Sequence, residues 1–319
     1  MSEHDLELVI TRMDVLTPGV VQLTFAQHDG SEMPPWEPGA HVDLRFASHG
    51  VDFVRQYSLC GPVSDRCHWK VAVLHALDGR GGSAHIHAAF AEGDTVRVTG
   101  PRNHFPLQPA NRYLFIAGGI GITPIVPMLA QVAATDADWR LIYCGRSMQS
   151  MAFADDMRAY GEKKVTLHES DTAGLLNLEA VIDAADPETV VYCCGPESML
   201  RALDACCVEW DSDRVHVERF ARREDDVDHT GTAFDVEFAR SGVVARVPAD
   251  CSILEVAEAL GVDIDSSCQE GTCGSCETKV LCGTPDHRDS VLSAKERAAG
   301  KTMMVCVSRS CTAKLVLDA

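Results

Sequence analysis

The chain has 319 residues, 46% of them hydrophobic, and a formal net charge of -19 from 47 acidic and 28 basic residues. That length allows roughly two domains with sizeable cores, and the charge repels phosphate backbones and anionic lipid, which argues against nucleic-acid and membrane-surface binding. The start, MSEHDLELVITRMDV, carries no basic region followed by an apolar one, so no export signal is evident and a cytoplasmic location is expected. In that setting the fourteen cysteines read as thiols or metal ligands before disulfides.

Residues 1–105 hold short alternating strands, ELVITRMDVL, VVQLTFAQ, HVDLRFA, WKVAVLHAL and DTVRVTG, broken at PPWEPG and EGD. Such spacing predicts a closed antiparallel barrel. Residues 106–220 alternate strands with helices: RYLFIA before TPIVPMLAQVAA, WRLIYCG before a helix ending near Tyr160, then KVTLHES, TVVYCCG, a helix through Met199 and Leu203, and VHVERF. That alternation predicts a parallel sheet covered on both faces, with ligands at the strands' carboxyl ends. The uncharged run Tyr113 to Thr135 contains Gly118, Gly119, Gly121, Pro124 and Pro127, so it reads as strand, turn and helix and not as a membrane span. Residues 221–231, rich in charge, are expected to be a linker. Residues 232–319 open with a hairpin across Ser241–Gly242 and a short helix announced by the capping-box spacing of Ser252 and Glu255.

Three cysteines then crowd into SSCQEGTCGSCETKV. Cys268, Cys273 and Cys276 are spaced C-x4-C-x2-C, and Cys306 follows after a long interval. This is the plant-type [2Fe–2S] pattern, in which three ligands share one loop and a fourth returns from a distant strand. Thiolates and sulfides accept hydrogen bonds, so the loop must turn backbone N–H groups inward, and Gly271 and Gly274 permit those turns. A four-cysteine zinc site remains the alternative, although zinc sites favour two short C-x2-C pairs. Cys251, Cys282 and Cys311 are expected to be small buried residues, and Cys206 and Cys207 to be helix packing.

RQYSLCG places Arg55, Tyr57 and Ser58 on a strand, and DGRGGSAHIH places Arg80, Gly81, Gly82 and Ser83 at a helix N-terminus, a ready anion site. Taken singly they are an ordinary strand and a glycine-rich turn, and His85 and His87 read as helix residues. Together, R-x-Y-S followed by G-R-G-G-S resembles the flavin domain of the ferredoxin–NADP reductase superfamily. The domain order resembles the family of phthalate dioxygenase and vanillate O-demethylase reductases over essentially the whole chain, and GPRNHFPL at 100–107 resembles that family's exit from the barrel. The resemblance implies a flavin-binding antiparallel β-barrel (1–105), an α/β nucleotide domain (106–220), a linker (221–231) and an α+β β-grasp [2Fe–2S] domain (232–319). It implies FMN, with FAD as alternative, held by Arg55, Tyr57, Ser58, Arg80, Gly82 and Ser83, with Phe220 covering one flavin face.

AGGIGITP fails the dinucleotide fingerprint, because Pro124 stands where its last glycine belongs. Asp136 and Asp138 have the sequence distance of that fingerprint's acid but precede the strand WRLIYCG, whose far end carries Gly145, Arg146 and Ser147. A Thr123 cap and Pro124 in the first helical turn are expected. The resemblance assigns Gly118, Gly119, Gly121, Thr123, Pro124, Arg146, Ser147, Cys194, Gly195 and Pro196 to the nicotinamide nucleotide, NADH with NADPH as alternative. Adjacent Cys193 and Cys194 are too close for a relaxed bridge. No acid–base triad is visible. The implied function is the reductase component of a Rieske-type oxygenase, an aromatic dioxygenase or O-demethylase, passing electrons from NADH through flavin and cluster. The alternative acceptor is a cytochrome P450 or another monooxygenase, and the chain is expected to be a monomer.

Overall fold

The computed structural model describes residues 3–48, 50–77, 79–221 and 231–319, so residues 222–230 of the expected linker lie outside the described residues. The chain forms two compact units, Met1–Glu218 and Arg219–Ala319. Among the described residues no helix is long and apolar enough to cross a membrane.

The first unit begins with β1 (His4–Thr17), β2 (Val20–Gln27), β3 (His41–Ser48), β4 (Val51–Ser58), β5 (Trp69–Leu74), helix α1 (Gly82–Ala89) and β6 (Thr95–Arg102). These strands make one antiparallel sheet in the order β4-β3-β6-β1-β2-β5. Period-two patterning sends Leu8, Ile10, Leu23, Phe25, Val42, Leu44, Val71, Val73, Val96 and Val98 to one buried face. The expected barrel is present as a curled half-barrel. Its edges meet at the single Leu59–Val71 bridge, beside a Cys60 N–H donating to the Lys70 carbonyl at 2.9 Å. Gly61 and Pro62 follow at once, and proline has no N–H with which to extend the ladder.

A parallel sheet follows: β7 (Arg112–Gly118), α2 (Ile122–Val132), β8 (Asp138–Gly145), α3 (Ala154–Arg158), β9 (Val165–Glu169), α4 (Ser170–Ala173), α5 (Leu178–Asp183), β10 (Val190–Cys194), α6 (Glu197–Cys206) and β11 (Val215–Glu218). The order is β11-β10-β7-β8-β9, all parallel. Strand β7 is apolar on both sides, as a doubly covered strand must be. Its Tyr113, Phe115 and Ala117 pack with α2 and α3, while Leu114 and Ile116 pack with α5 and α6. The strand order reverses at β7, with β8 and β9 added on one side and β10 and β11 on the other, and such switch points open a crevice at the strands' carboxyl ends.

The second unit comprises β12 (Phe234–Phe238), β13 (Val243–Val247), α7 (Ile253–Ala259), β14 (Glu277–Cys282), β15 (Pro285–Asp286), α8 (Ala294–Ala299), β16 (Thr302–Met304), β17 (Arg309–Ser310) and β18 (Lys314–Leu317). Its main sheet runs β13-β12-β18-β14-β16, with β12 and β18 parallel. The capping box at Ser252 and Glu255 forms, and Ile253, Leu254 and Ala257 of α7 are buried with Phe234, Val236 and Phe238. Arg309, only 4% exposed, ties this unit together by donating to the carbonyls of Cys251 (2.5 Å), Pro248 (2.8 Å) and Thr232 (3.5 Å). A side chain at Gly231 would collide with that guanidinium.

Candidate functional site

In the second unit the loop between α7 and β14 gathers three thiols, and the segment after β16 brings the fourth. Cys268, Cys273, Cys276 and Cys306 are all buried, and none of the fourteen cysteines is in a disulfide. The thiols touch in pairs: Cys268 with Cys273, Cys276 with Cys306, and a link from Cys268 to Cys306. Among the described residues no group of three or more His, Cys, Asp or Glu side chains is arranged around one metal position. Two pairs suit a cluster whose ligands divide between two irons.

The loop's backbone is shaped for sulfur. The N–H groups of Glu270 and Thr272 donate to Cys268 Sγ at 3.3 and 3.5 Å, and Ser275 Oγ lies 2.9 Å from Cys273 Sγ. Hydrogen bonds from Cys273 and Cys306 hold the Cys268 thiol well below the ordinary thiol range, which favours the thiolate that iron requires. Gly271 and Gly274 have φ of 70° and 77°. A Cβ on Gly271 would also lie 2.6 Å from Val307 Cγ2, so that position is glycine for space as well as for conformation. These residues fit a [2Fe–2S] cluster. Three expectations fail nearby: Cys282 and Cys311 are exposed, and Cys251 is only half-buried. A register shift between Val280 and Cys282 turns the end of β14 outward, and Cys311 sits in the turn after β17.

In the first unit, two glycine-bearing loops meet at the switch point. A Cβ on Gly118 would lie 2.5 Å from Pro196 Cδ, and one on Gly121 would collide with the Cys194 carbonyl. The turn after β7 and the Cys194-Gly195-Pro196 turn after β10 are therefore packed backbone on backbone. Thr123 does not cap α2. A 3-10 turn over Gly119–Gly121 moves the helix start upstream, Gly121 takes the cap position, and the Thr123 hydroxyl donates to the Ile120 carbonyl at 3.0 Å. Pro124 lies in the first turn as expected. Cys193 and Cys194 are both buried but point to opposite faces of the sheet, which separates their sulfurs. Arg146 and Ser147 follow β8, where Ser147 caps the 3-10 turn Met148–Ser150.

The same crevice collects a group that sequence reading missed. Glu218 ends β11 in register with Cys194 of β10, and its Oε2 lies 4.0 Å from the Cys194 thiol. Burial pushes the Glu218 carboxyl up to about 8, against a smaller lowering by the Ser58 hydroxyl. Ser58 is buried at the end of β4, and its Oγ lacks a hydrogen-bond partner of normal geometry. A buried hydroxyl of this kind fits a polar ligand atom. Glu218 lies inside VHVERF, yet nothing in a four-residue strand marks one acid as special.

Midway along β4, Arg55 lies 5.0 Å over the Phe53 ring and donates to the carbonyls of Val54 (2.9 Å) and Arg80 (3.3 Å). A Cβ on Gly82 would stand 2.6 Å from Arg55 Nε, so glycine there lets the guanidinium rest on the N-terminus of α1. Ser83 Oγ accepts the Ala76 N–H at 3.1 Å. Arg55, Arg80, Gly82 and Ser83 thus converge, while Tyr57 is partly buried against the half-barrel core and its hydroxyl is pushed well above the ordinary range by desolvation. Phe220 belongs to the second unit and is 46% exposed.

Known proteins agree with this organisation. The model of an oxidoreductase NAD-binding domain matches residues 115–205, and that of a 2Fe-2S iron-sulfur cluster binding domain matches residues 236–315. The chain is 44% identical to a phenoxybenzoate dioxygenase subunit beta of Ectopseudomonas oleovorans, over 90% of this chain and 88% of the relative. It is 37% identical to the carnitine monooxygenase reductase subunit of Escherichia coli over the full length of both. Among solved structures, phthalate dioxygenase reductase matches with a TM-score of 0.70 at 35% identity, covering 99% of this chain and 98% of its own. An intact type IV self-sufficient cytochrome P450 monooxygenase matches with a TM-score of 0.91 at 41% identity, and there the chain spans 41% of the longer protein. This chain belongs to the oxygenase-reductase family that includes phthalate dioxygenase reductase, an oxidoreductase family that joins an NAD-binding domain to a [2Fe–2S] domain.

Proposed function

We propose that the chain takes a hydride from NADH and delivers single electrons to a separate oxygenase component bearing a Rieske centre. The observation that carries this reading is the coexistence, in one chain, of the Ser58–Cys194–Glu218 crevice and the four-thiol loop. Bound flavin would supply the conversion of a two-electron hydride into single electrons, and a [2Fe–2S] cluster would carry them one at a time. We assign residues 1–105 to flavin, 106–220 to nucleotide, 221–231 to the linker and 232–319 to the cluster, in a cytoplasmic monomer.

In this reading Arg55, Arg80, Gly82 and Ser83 hold one phosphate at the N-terminus of α1, which suits FMN better than FAD because only one anion cradle is built there. Tyr57, Ser58 and Phe220 are the residues that would hold the flavin ring. Gly118, Gly119, Gly121, Thr123 and Pro124 shape the turn under the nucleotide, with Arg146 and Ser147 beyond it. Cys194, Gly195 and Pro196 form the floor on which the nicotinamide rests. Glu218, held neutral by burial, leaves the crevice uncharged beside the hydride path. Cys268, Cys273, Cys276 and Cys306 hold the cluster.

A second reading, delivery to a cytochrome P450, is favoured by the likeness to the self-sufficient P450 monooxygenase. Low-temperature EPR on anaerobic holo-protein tests the shared part. A rhombic [2Fe–2S] signal is expected only after NADH is added, and its absence in protein whose flavin has bleached would sink the proposal. NADH-driven turnover with a purified Rieske oxygenase, set against a P450, then separates the two acceptors.

A further inference from the structure

We infer that Tyr192 is a positioning residue for hydride transfer: its hydroxyl clips the segment that joins the half-barrel to the parallel sheet, and so holds the Ser58 end of β4 in place against the Cys194 turn. The inference rests on the reading of that crevice as the hydride site. Residues 103–111 connect β6 to β7, and Pro106 and Pro109 lack the N–H groups a ladder would use, so side chains must fasten this segment. Tyr192, fully buried on β10, reaches it from the sheet. Its hydroxyl accepts the Gln108 N–H at 2.7 Å and donates to the Pro106 carbonyl at 3.0 Å. The ring itself is held by His216, stacked at 4.6 Å, and by Phe105, edge-on at 5.4 Å.

The same segment is fastened to the half-barrel at its other end. Asn103 Nδ2 donates to the Pro38 carbonyl at 3.0 Å, while Asn103 Oδ1 accepts the Phe105 N–H at 3.0 Å. Gly39, with φ of 92°, lies so close that a Cβ there would collide with the Phe105 carbonyl. The residues after Gly39 run straight into the crevice. The Leu59 N–H donates to the Ala40 carbonyl at 2.8 Å, and His41 pairs with Ser58 across β3 and β4. On the sheet side, Tyr192 and Cys194 face the same core from alternate positions of β10. Ser58 and Cys194 therefore hang from the two ends of one clip, and the Tyr192 hydroxyl closes it. Tyr113 offers a contrast. Its hydroxyl accepts the Ala110 N–H at 2.6 Å and donates to the Gln108 carbonyl at 2.9 Å, so it ties the entry of β7 only to the residues just before it.

The test is stopped-flow reduction of the flavin by NADH in the holo-protein. Tyr192→Phe removes one oxygen and keeps the ring in its stack. It is expected to slow flavin reduction about tenfold, a part of the roughly 100-fold that a misplacement near 1 Å costs. The KM for NADH should stay unchanged, because the loss falls on transition-state geometry and not on binding. The long-wavelength charge-transfer absorbance of nicotinamide stacked on flavin should weaken in step, a signature that lower stability alone would not move. Asn103→Asp keeps the acceptor for the Phe105 N–H, drops the donor to Pro38 and opens the clip from its other end. It should slow the same step by a similar factor, with the double variant no slower than the worse single one, since both act through one segment. Tyr113→Phe loses as many hydrogen bonds and should reduce flavin at the wild-type rate. Should Tyr192→Phe fail to hold flavin, the Asn103→Asp rate decides alone. Wild-type rate and absorbance in Tyr192→Phe or in Asn103→Asp, or an equal loss in Tyr113→Phe, overturns the inference. A wild type whose flavin NADH does not reduce removes the underlying reading instead.

Discussion

The thiol loop and the crevice proposed for hydride transfer are built by opposite means. The loop draws three of its four thiols from nine consecutive residues, and its donors, the Glu270 and Thr272 N–H groups, come from the same stretch. The crevice takes Ser58, Cys194 and Glu218 from three strands and two sheets. A cluster is bound by coordination, so its ligands must be of one residue type at short reach. A stacked ring pair is bound by shape, so its walls can come from anywhere the fold brings them. The first arrangement should respond to loss of a ligand and the second to small displacements.

The largest effect should come from breaking the loop. Cys306→Ser is expected to abolish the [2Fe–2S] EPR signal and cut cluster-dependent electron delivery by at least about 100-fold, since a lost ligand costs no less than a lost supporting contact. NADH should still bleach the flavin in that variant at the wild-type rate. Loss of both activities together would mean that the two regions are not separable.

A displacement test sharpens the other side. Gly121→Ala puts a methyl group into the Cys194 carbonyl and must push the two loops of the crevice apart. Reduction of flavin by NADH is expected to fall about 100-fold, the scale of a misplacement near 1 Å, with the cluster's EPR signal after dithionite intact. Stopped-flow absorbance reads the first quantity, and an unchanged rate would mean that the loops can part without consequence.

The smallest effect is a titration. The Glu218 carboxyl is pushed up to about 8 from its ordinary 4.5, because burial penalises its charge. The folded state therefore binds this proton more tightly than the unfolded chain. The resulting stability is full below about pH 4.5 and is lost as pH rises through about 8. Glu218→Gln should flatten melting temperature against pH across that window and remove the alkaline limb from hydride transfer. The maximal rate should fall only about tenfold, at or below the usual range for a proton-holding group. A wild-type melting curve already flat between pH 5 and 8 would show that Glu218 carries no such coupling.

Much of this was legible in the chain itself, and the reasons are local. Covalent spacing wrote the four thiols. Period-two and period-3.6 patterns wrote the half-barrel strands, the parallel strands and α7, whose capping box needs only Ser252 and Glu255. Close approach of backbone to backbone wrote the glycines of both motifs, since only glycine fits where Gly118 and Gly121 meet the turn after β10. Where a neighbour in space decided the outcome, local reading failed. A bulge in β14 carried Cys282 to the surface, and an extra 3-10 turn moved Thr123 off its cap. Glu218 became an uncommon carboxyl only when β11 was laid beside β10 and burial raised the cost of its charge. Sequence determines which chemistry the residues can perform; the pairing of distant strands, which sets burial and distance, decides which of them perform it.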